Sequence, residues 1–282
     1  MMDHRKLRDF PIPEMRQTYS SRDAQFYALS VGLGQDPLSE AELRFVDETR
    51  GPLVLPSLCV VLGHPGFWIS DPATTVNALK LVHAEEAFEI LRPLSATATV
   101  IGRTRITDLV DKGEGRGALL YTEKELIDAA DGIVIARVLR TTMLRGDGGY
   151  GGHSGAPRAT PMEPSGPPDI VIERAVRPEQ ALLYRLNGDP NPLHIDPATA
   201  RAAGFAHPIL HGLCTFGMAT AQIVLALASG DPSRLRGFRA RFSAPVYPGE
   251  TLRFDIWTSG ALRATAVERG VAVLTHAQAT FG

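Results

Sequence analysis

The sequence predicts an α+β protein made of two successive repeats, each an antiparallel sheet wrapped around a buried central helix. Three observations lead there. The stretch from about Leu210 to Ala228, LHGLCTFGMATAQIVLALA, is apolar on nearly every face, and a helix of that kind is stable only when enclosed. The runs RARFSAPVYPGETLRFDIW and AVLTHAQATF alternate or are rich in β-branched residues, as antiparallel strands are. One enclosed helix with several strands favours a sheet curled over that helix. Third, the two halves share a layout. The first runs RDAQFYALSVG, LPSLCVVLGHPG, EILRPLSATATVIG and GIVIARVLRTTML; the second runs EQALLYRLNGD, HPILHGLCTFG, RFSAPVYPGETLRFDIW and GVAVLTHAQATF. A repeat of this length indicates a duplicated domain, not a short-period solenoid.

The division falls at RGDGGYGGHSGAPRATPMEPSGPP, Arg145 to Pro168, where glycine and then proline dominate. We expect a first repeat over residues 1–145, a linker over 146–168 and a second repeat over 169–282. The linker contains a formal GxGxxG at Gly146, Gly148 and Gly151, but a proline-rich run follows instead of the helix that a dinucleotide site requires. In the second repeat, Asp196 and Pro197 supply an N-cap and a first-turn proline for the short helix PATARAA, which Gly204 closes.

Charge and cysteine usage narrow the function. The 282 residues carry 29 Lys and Arg against 31 Asp and Glu, so no basic footprint for nucleic acid is expected. The two cysteines, Cys59 and Cys214, sit far apart in apolar settings and read as reduced thiols. The opening MMDHRKLRDFPIPE has no apolar run, and IVLALA is too short to span a bilayer. A cytoplasmic protein with no membrane partner is therefore expected.

The segment GDPNPLHIDP, Gly188 to Pro197, carries the chemistry. Proline disfavours the α region for the residue before it, so Pro190 and Pro192 push Asp189 and Asn191 towards extended conformations. Alternation then projects both side chains to one side, and His194 follows the next turn. Such stiffness suits a prepositioned acid–base pair. The same residues also suit an Asx-type turn leading into the helix at Asp196.

The run YRLNGDPNPLHIDPATARAAGFAHPILHGLCTFG resembles the signature of the hydratase 2 family, the (R)-specific 2-enoyl-CoA hydratases with a MaoC-like, hot-dog fold. RDAQFYALSVG, LPSLCVVLG, DLVDKGEGRGALL, RTTMLRGDGGYGG and RFSAPVYPGETLRF are similar to the double hot-dog hydratase of peroxisomal multifunctional enzymes, so the likeness spans most of the chain. The resemblance implies that Asp189 and His194 are the catalytic pair, that Asn191 supports them, and that the Gly212 amide binds the thioester oxygen. It implies reversible hydration of trans-2-enoyl-CoA to (R)-3-hydroxyacyl-CoA, with coenzyme A as part of the substrate and no separate cofactor. The residue types suit that chemistry. A carboxylate and an imidazole can hold and split one water, and a carbonyl oxygen gaining charge is best met by backbone N–H groups at a helix N-terminus. The Gly212 role requires the helix to begin near Leu210 or later, because otherwise its amide is used inside the helix. A hot-dog thioesterase and a non-catalytic acyl-CoA or acyl-carrier-binding module are the alternatives; the second would not need the acid–base pair.

Other positions admit structural or substrate-binding roles. Tyr184 and His211 are expected to line the substrate. Arg241, before FSAPV, either contacts a coenzyme phosphate or forms an ion pair within the fold. His207 and His211 form HxxxH and, with His194 or Asp196, imitate a zinc site, but the glutamate of HExxH is missing; no metal is expected. Glu85 and Glu86 read as a solvated face, and His83 as structural. Gly32-Leu33-Gly34-Gln35-Asp36-Pro37 takes the place of GDPNPLH in the first half without a histidine. That half is expected to shape the acyl-chain site without catalysing, the chain being a homodimer or a pseudo-dimer of its own two repeats.

Overall fold

The computed structural model describes residues 2–155 and 158–282. The first repeat contains α1 (His4–Arg8), β1 (Met15–Tyr19), α2 (Ser21–Ser30), α3 (Glu40–Leu43), β2 (Leu81–Ile90), β3 (Ala98–Asp111), β4 (Ala118–Asp128) and β5 (Val134–Leu144). The second contains β6 (Ile170–Ala175), α4 (Gln180–Tyr184), α5 (Pro197–Ala202), α6 (Gly212–Leu227), β7 (Leu235–Phe242), β8 (Thr251–Ile256), β9 (Ala261–Ala266) and β10 (Val271–Phe281). All ten strands form one sheet, in the order β1-β3-β4-β5-β2-β7-β10-β9-β8-β6. The repeats join where β2 pairs antiparallel with β7, placing Glu85 opposite Arg241, Glu86 opposite Ala240 and Phe88 opposite Phe238.

The apolar stretch of the second repeat forms α6, and every residue from Cys214 to Val224 is buried. At its centre Phe216 meets rings from both repeats, with centroids 5.9 Å from Phe88 and 4.9 Å from Phe238. At the next residue, the end of α2 packs so closely that a Cβ at Gly217 would lie 2.5 Å from Val31 Cγ1. Burial of α6 thus depends on the first repeat as much as on its own sheet.

The first repeat encloses a much shorter helical element than α6. Its central segment is one 3₁₀ turn, Pro56–Val60, with all five residues buried. The buried Lys124 of β4 explains how so short an element ends inside the core. Its ammonium donates to the carbonyls of Cys59 (3.0 Å) and Val60 (3.1 Å) and to that of Leu62. Those carbonyls would otherwise be orphaned at the end of the turn. Burial lowers the Lys124 ammonium to about 8.

The glycine-rich segment is docked. The Asp111 carboxylate accepts hydrogen bonds from the amides of Gly113 (2.8 Å), Gly149 (2.7 Å) and Gly151 (2.9 Å). Two amides within the formal GxGxxG, those of Gly149 and Gly151, are therefore satisfied by an internal anion. Further along, Arg158 lies over the Tyr121 ring at 4.5 Å, and the Pro161 carbonyl meets His276 Nδ1 at 2.9 Å. Both cysteines are free and buried. Among the described residues no helix is long and apolar enough to cross a membrane.

Candidate active site

The Gly188–Pro197 segment is a series of side-chain-capped turns. Gly188, at φ +107°, ends the 3₁₀ turn Arg185–Asn187, a conformation glycine adopts without strain. Asp189 Oδ1 then accepts from the Asn191 amide (3.3 Å), and Asn191 Oδ1 accepts from the Leu193 amide (3.0 Å). The second contact caps the 3₁₀ turn Pro192–His194. Asp196 caps α5 through the amides of Ala198 (3.1 Å) and Thr199 (2.9 Å), as its sequence position predicts. The Asx-turn reading of this segment is therefore observed. Asn191 is exposed and its side-chain oxygen is spent on the cap, so its contribution is to fix the loop that presents its neighbours.

Those neighbours converge. One donor atom from each of Asp189, His194 and His211 lies within 4.8 Å of the other two. His194, 9% exposed, has Nδ1 2.8 Å from the Ile209 carbonyl. A carbonyl can only accept, so Nδ1 carries the proton and Nε2 keeps its lone pair. His211 stacks on His194 and sets Nε2 3.3 Å from the Asp189 carbonyl. Burial lowers the His194 pKa, with the Ile209 carbonyl and Asp189 opposing it. Burial and the neighbouring His194 together bring His211 down to about 4, although Asp189 pulls the other way. Both imidazoles are consequently neutral near neutral pH.

The two histidines of the HxxxH pattern have separate surroundings, since His211 stacks on His194. His207 lies edge-on to Tyr247, with centroids 5.6 Å apart, and Asp196 is engaged in its helix cap. The group of donors that does form comprises Asp189, His194 and His211, all of which have hydrogen-bonding roles in the loop.

Helix α6 begins at Gly212, with His211 as an N-cap whose side chain makes no capping bond. The start meets the condition for an outward-facing amide, since the first helical N–H groups have no intrahelical partner. Packing is tight here: a Cβ on Gly212 would lie 3.1 Å from Phe242 Cδ1 and 3.2 Å from Cε1. Tyr184 is fully buried behind His211, with ring centroids 5.0 Å apart, and burial raises its hydroxyl pKa far above the usual value.

Arg241 takes the ion-pair role. Its Nε and Nη2 donate to Glu85 Oε1 at 2.9 and 2.7 Å across the seam between repeats. Glu86 corrects the expected solvated face. It is 1% exposed, and Arg140 grips it through Nε and Nη2, each at 3.0 Å. His83 Nε2 approaches Glu86 Oε2 at 2.8 Å. Burial opposes the Glu86 charge, but Arg140 and His83 outweigh it and hold the carboxyl down at about 2. Burial also works against the Arg140 charge, which Glu86 and, at longer range, Asp189 restore. This cluster was missed in the sequence because EE within a strand looks like surface. The usable signal was RVLRTTML: an arginine among apolar strand residues needs a partner.

Comparison with known proteins gives a consistent family. Residues 17–146 match the family described as MFE-2 hydratase 2 N-terminal domain, and residues 160–279 match the MaoC-like domain. An enoyl-CoA hydratase of Mycobacterium tuberculosis is 39% identical over 256 residues, covering 88% of this chain and 87% of that protein. The peroxisomal enoyl-CoA hydratase 2 of Arabidopsis thaliana is 37% identical over 265 residues, covering 88% and 85%. The crystal structure of a MaoC-like dehydratase from Phytophthora capsici superposes with a TM-score of 0.87 at 32% identity, covering 99% and 98% of the two chains.

Proposed function

The chain belongs to the MaoC-like, hydratase 2 family of hydro-lyases with a double hot-dog fold, and from that premise we propose that it hydrates trans-2-enoyl-CoA reversibly to (R)-3-hydroxyacyl-CoA. The observation that carries this reading is the convergence of Asp189 and His194, whose Nε2 is unprotonated, with His211, the residue that precedes Gly212 at the start of α6.

The chemistry follows from those groups. A water held between Asp189 and His194 Nε2 attacks C3 of the enoyl thioester and gives up a proton to the pair. Electron density moves through C2 to the thioester oxygen, where the Gly212 amide and the positive end of α6 stabilise the enolate. The proton held by the pair then passes to C2, closing the cycle with one water added and no electron gained or lost. The groups that perform each step are supplied by the chain itself, so no metal or redox cofactor is needed. The (R) outcome rests on family membership. The first repeat, over residues 1–145, shapes acyl-chain room, and the second, over 169–282, brings the reacting groups. A cytoplasmic site of action completes the reading, although the Arabidopsis relative is named peroxisomal.

A panel of enoyl-CoAs of graded chain length tests it. Loss of the enoyl thioester absorbance, with chiral analysis giving the (R) product and no free thiol released, is the expected result. An (S) product, or coenzyme A release without hydration, would replace this proposal.

A further inference from the structure

Building on that reading of the active site, we propose that the first repeat positions the Gly212 amide through a relay of four side chains, Arg140, Glu86, His83 and Phe242. Three of the four come from the repeat that supplies neither Asp189 nor His194.

The relay begins in the sheet. Glu86 and Arg140 are directly opposite on β2 and β5, so their two-point ion pair lies across adjacent strands. On the other side of β2, Glu86 faces Ala240, whose small side chain leaves the carboxylate room within the seam. The Glu86 side chain is fully buried. Two bonds from one guanidinium to both carboxylate oxygens fix its plane as well as its position.

Glu86 then orients His83. The His83 Nε2 lies 2.8 Å from Glu86 Oε2 and 3.2 Å from the Glu85 carbonyl. Both partners accept, which assigns Nε2 the proton and sets the ring plane. The ring meets Phe242 in an edge-type contact, 63° between planes and 4.7 Å between centroids. Phe242 in turn lies against Gly212, close enough that a Cβ there would come within 3.1–3.2 Å of its ring atoms. Phe242 is the last residue of β7, the strand that pairs with β2 across the seam.

Such a device has a purpose at this position. His211 gives α6 no side-chain cap, so its first turn lacks the local contact that usually fixes a helix start. Upstream, the Leu210 amide is tied to the Val246 carbonyl at 2.7 Å. On the Gly212 side, the Phe242 ring supplies the support. An amide that must meet developing charge has to be placed to within about half an ångström. Loss of one such donor typically costs about 100- to 1,000-fold in turnover. Arg140, Glu86, His83 and Phe242 are positioning residues in this scheme, since they act through Gly212.

The test reads polarisation of a bound thioester separately from turnover. In an Asp189→Asn background, a bound 2,4-dienoyl-CoA should show a red-shifted absorption band that reports the pull on its carbonyl oxygen. Adding Phe242→Ala or His83→Ala should remove at least about half of the shift while leaving Kd within about threefold, and Phe242→Tyr should retain it. With Asp189 intact, Phe242→Ala and His83→Ala should lower kcat at least about tenfold at nearly constant KM, the pattern for lost transition-state contacts. Glu86→Gln should do the same; if it fails to fold, the Phe242 and His83 variants decide the matter. A parent shift that neither alanine variant changes overturns the relay while leaving the active-site reading intact. The complete lack of a shift in the parent overturns the amide's role, and the relay with it.

Discussion

The imidazole rings of His194 and His211 lie face to face, with centroids 3.7 Å apart and planes inclined by 29°. Two imidazolium ions cannot share that spacing in a buried site, and burial already disfavours charge on each ring. In the proposed mechanism His194 therefore acts as a neutral base, with its free nitrogen at Nε2. Its lowered pKa means the base survives to lower pH than an ordinary histidine would. The acid limb of the kcat/KM profile is expected below the reference value of 6.5. A limb at or above that value would assign the pH dependence to another group.

The same burial sets a direction for stability. An unfolded histidine takes up its proton near 6.5, whereas folded His211 stays neutral down to about 4 and folded His194 is also lowered. Between those limits the unfolded chain binds more protons, so stability is complete above about pH 6.5 and declines as pH falls towards 4. Each group contributes up to about 1.4 kcal/mol per pH unit within its window. Urea midpoints at pH 7.5 and pH 5 measure this, and His211→Gln should flatten the dependence. A midpoint that rises on acidification would contradict it.

Asp189→Asn keeps the Oδ1 acceptor that caps the Asn191 amide but removes the carboxylate. The variant should fold normally and lose about 100- to 10,000-fold in activity. His194→Ala should lose a similar amount. The double variant should be little worse than either single one, because groups acting as a unit are non-additive. Steady-state kinetics with circular dichroism checks all three, and additive losses would separate the two roles.

Parts of this site were legible in the sequence because they follow local rules. Asp196 before Pro197 and the all-round apolar α6 depend on neighbours a few residues away. The pairing of Glu86 with Arg140 spans 54 residues, and that of Arg241 with Glu85 spans 156. Nothing local distinguishes such glutamates from surface ones. Likewise, the one-turn central segment of the first repeat is explained by Lys124, more than 60 residues downstream in another strand. Asn191, at φ −52° and ψ 121°, has the extended type of backbone expected before Pro192, while the Asp189 and Asn191 side chains each accept from an amide two residues on.

Chelation should leave activity unchanged. Asp189, His194 and His211 are close enough to attract a transition metal, but the proposed step uses their unmetallated forms: a carboxylate and a free imidazole nitrogen. Dialysis against EDTA followed by assay is therefore expected to preserve the rate, and added zinc should inhibit by occupying those donors. Activity lost on chelation and regained with zinc would make the metal part of the mechanism.

The division of labour between repeats yields the last prediction. A fragment covering residues 166–282 would retain Asp189, Asn191, His194 and Gly212, yet β7 would lose β2 along Gly237 to Arg241. That exposes a central sheet edge, a template for pairing with other chains. It also uncovers α6 where α2 packs on Gly217 and where Phe88 meets Phe216, and a contiguous apolar surface of that kind drives association. The Arg140–Glu86–His83 cluster would be lost, leaving Phe242 without its edge contact. The fragment should be insoluble, or form a dimer in which a second copy replaces the missing repeat, with weak turnover restricted to short enoyl-CoAs. Size-exclusion chromatography combined with the chain-length panel measures both. A monomeric fragment with full activity on long chains would show that the first repeat neither shapes the acyl site nor supports the Gly212 amide.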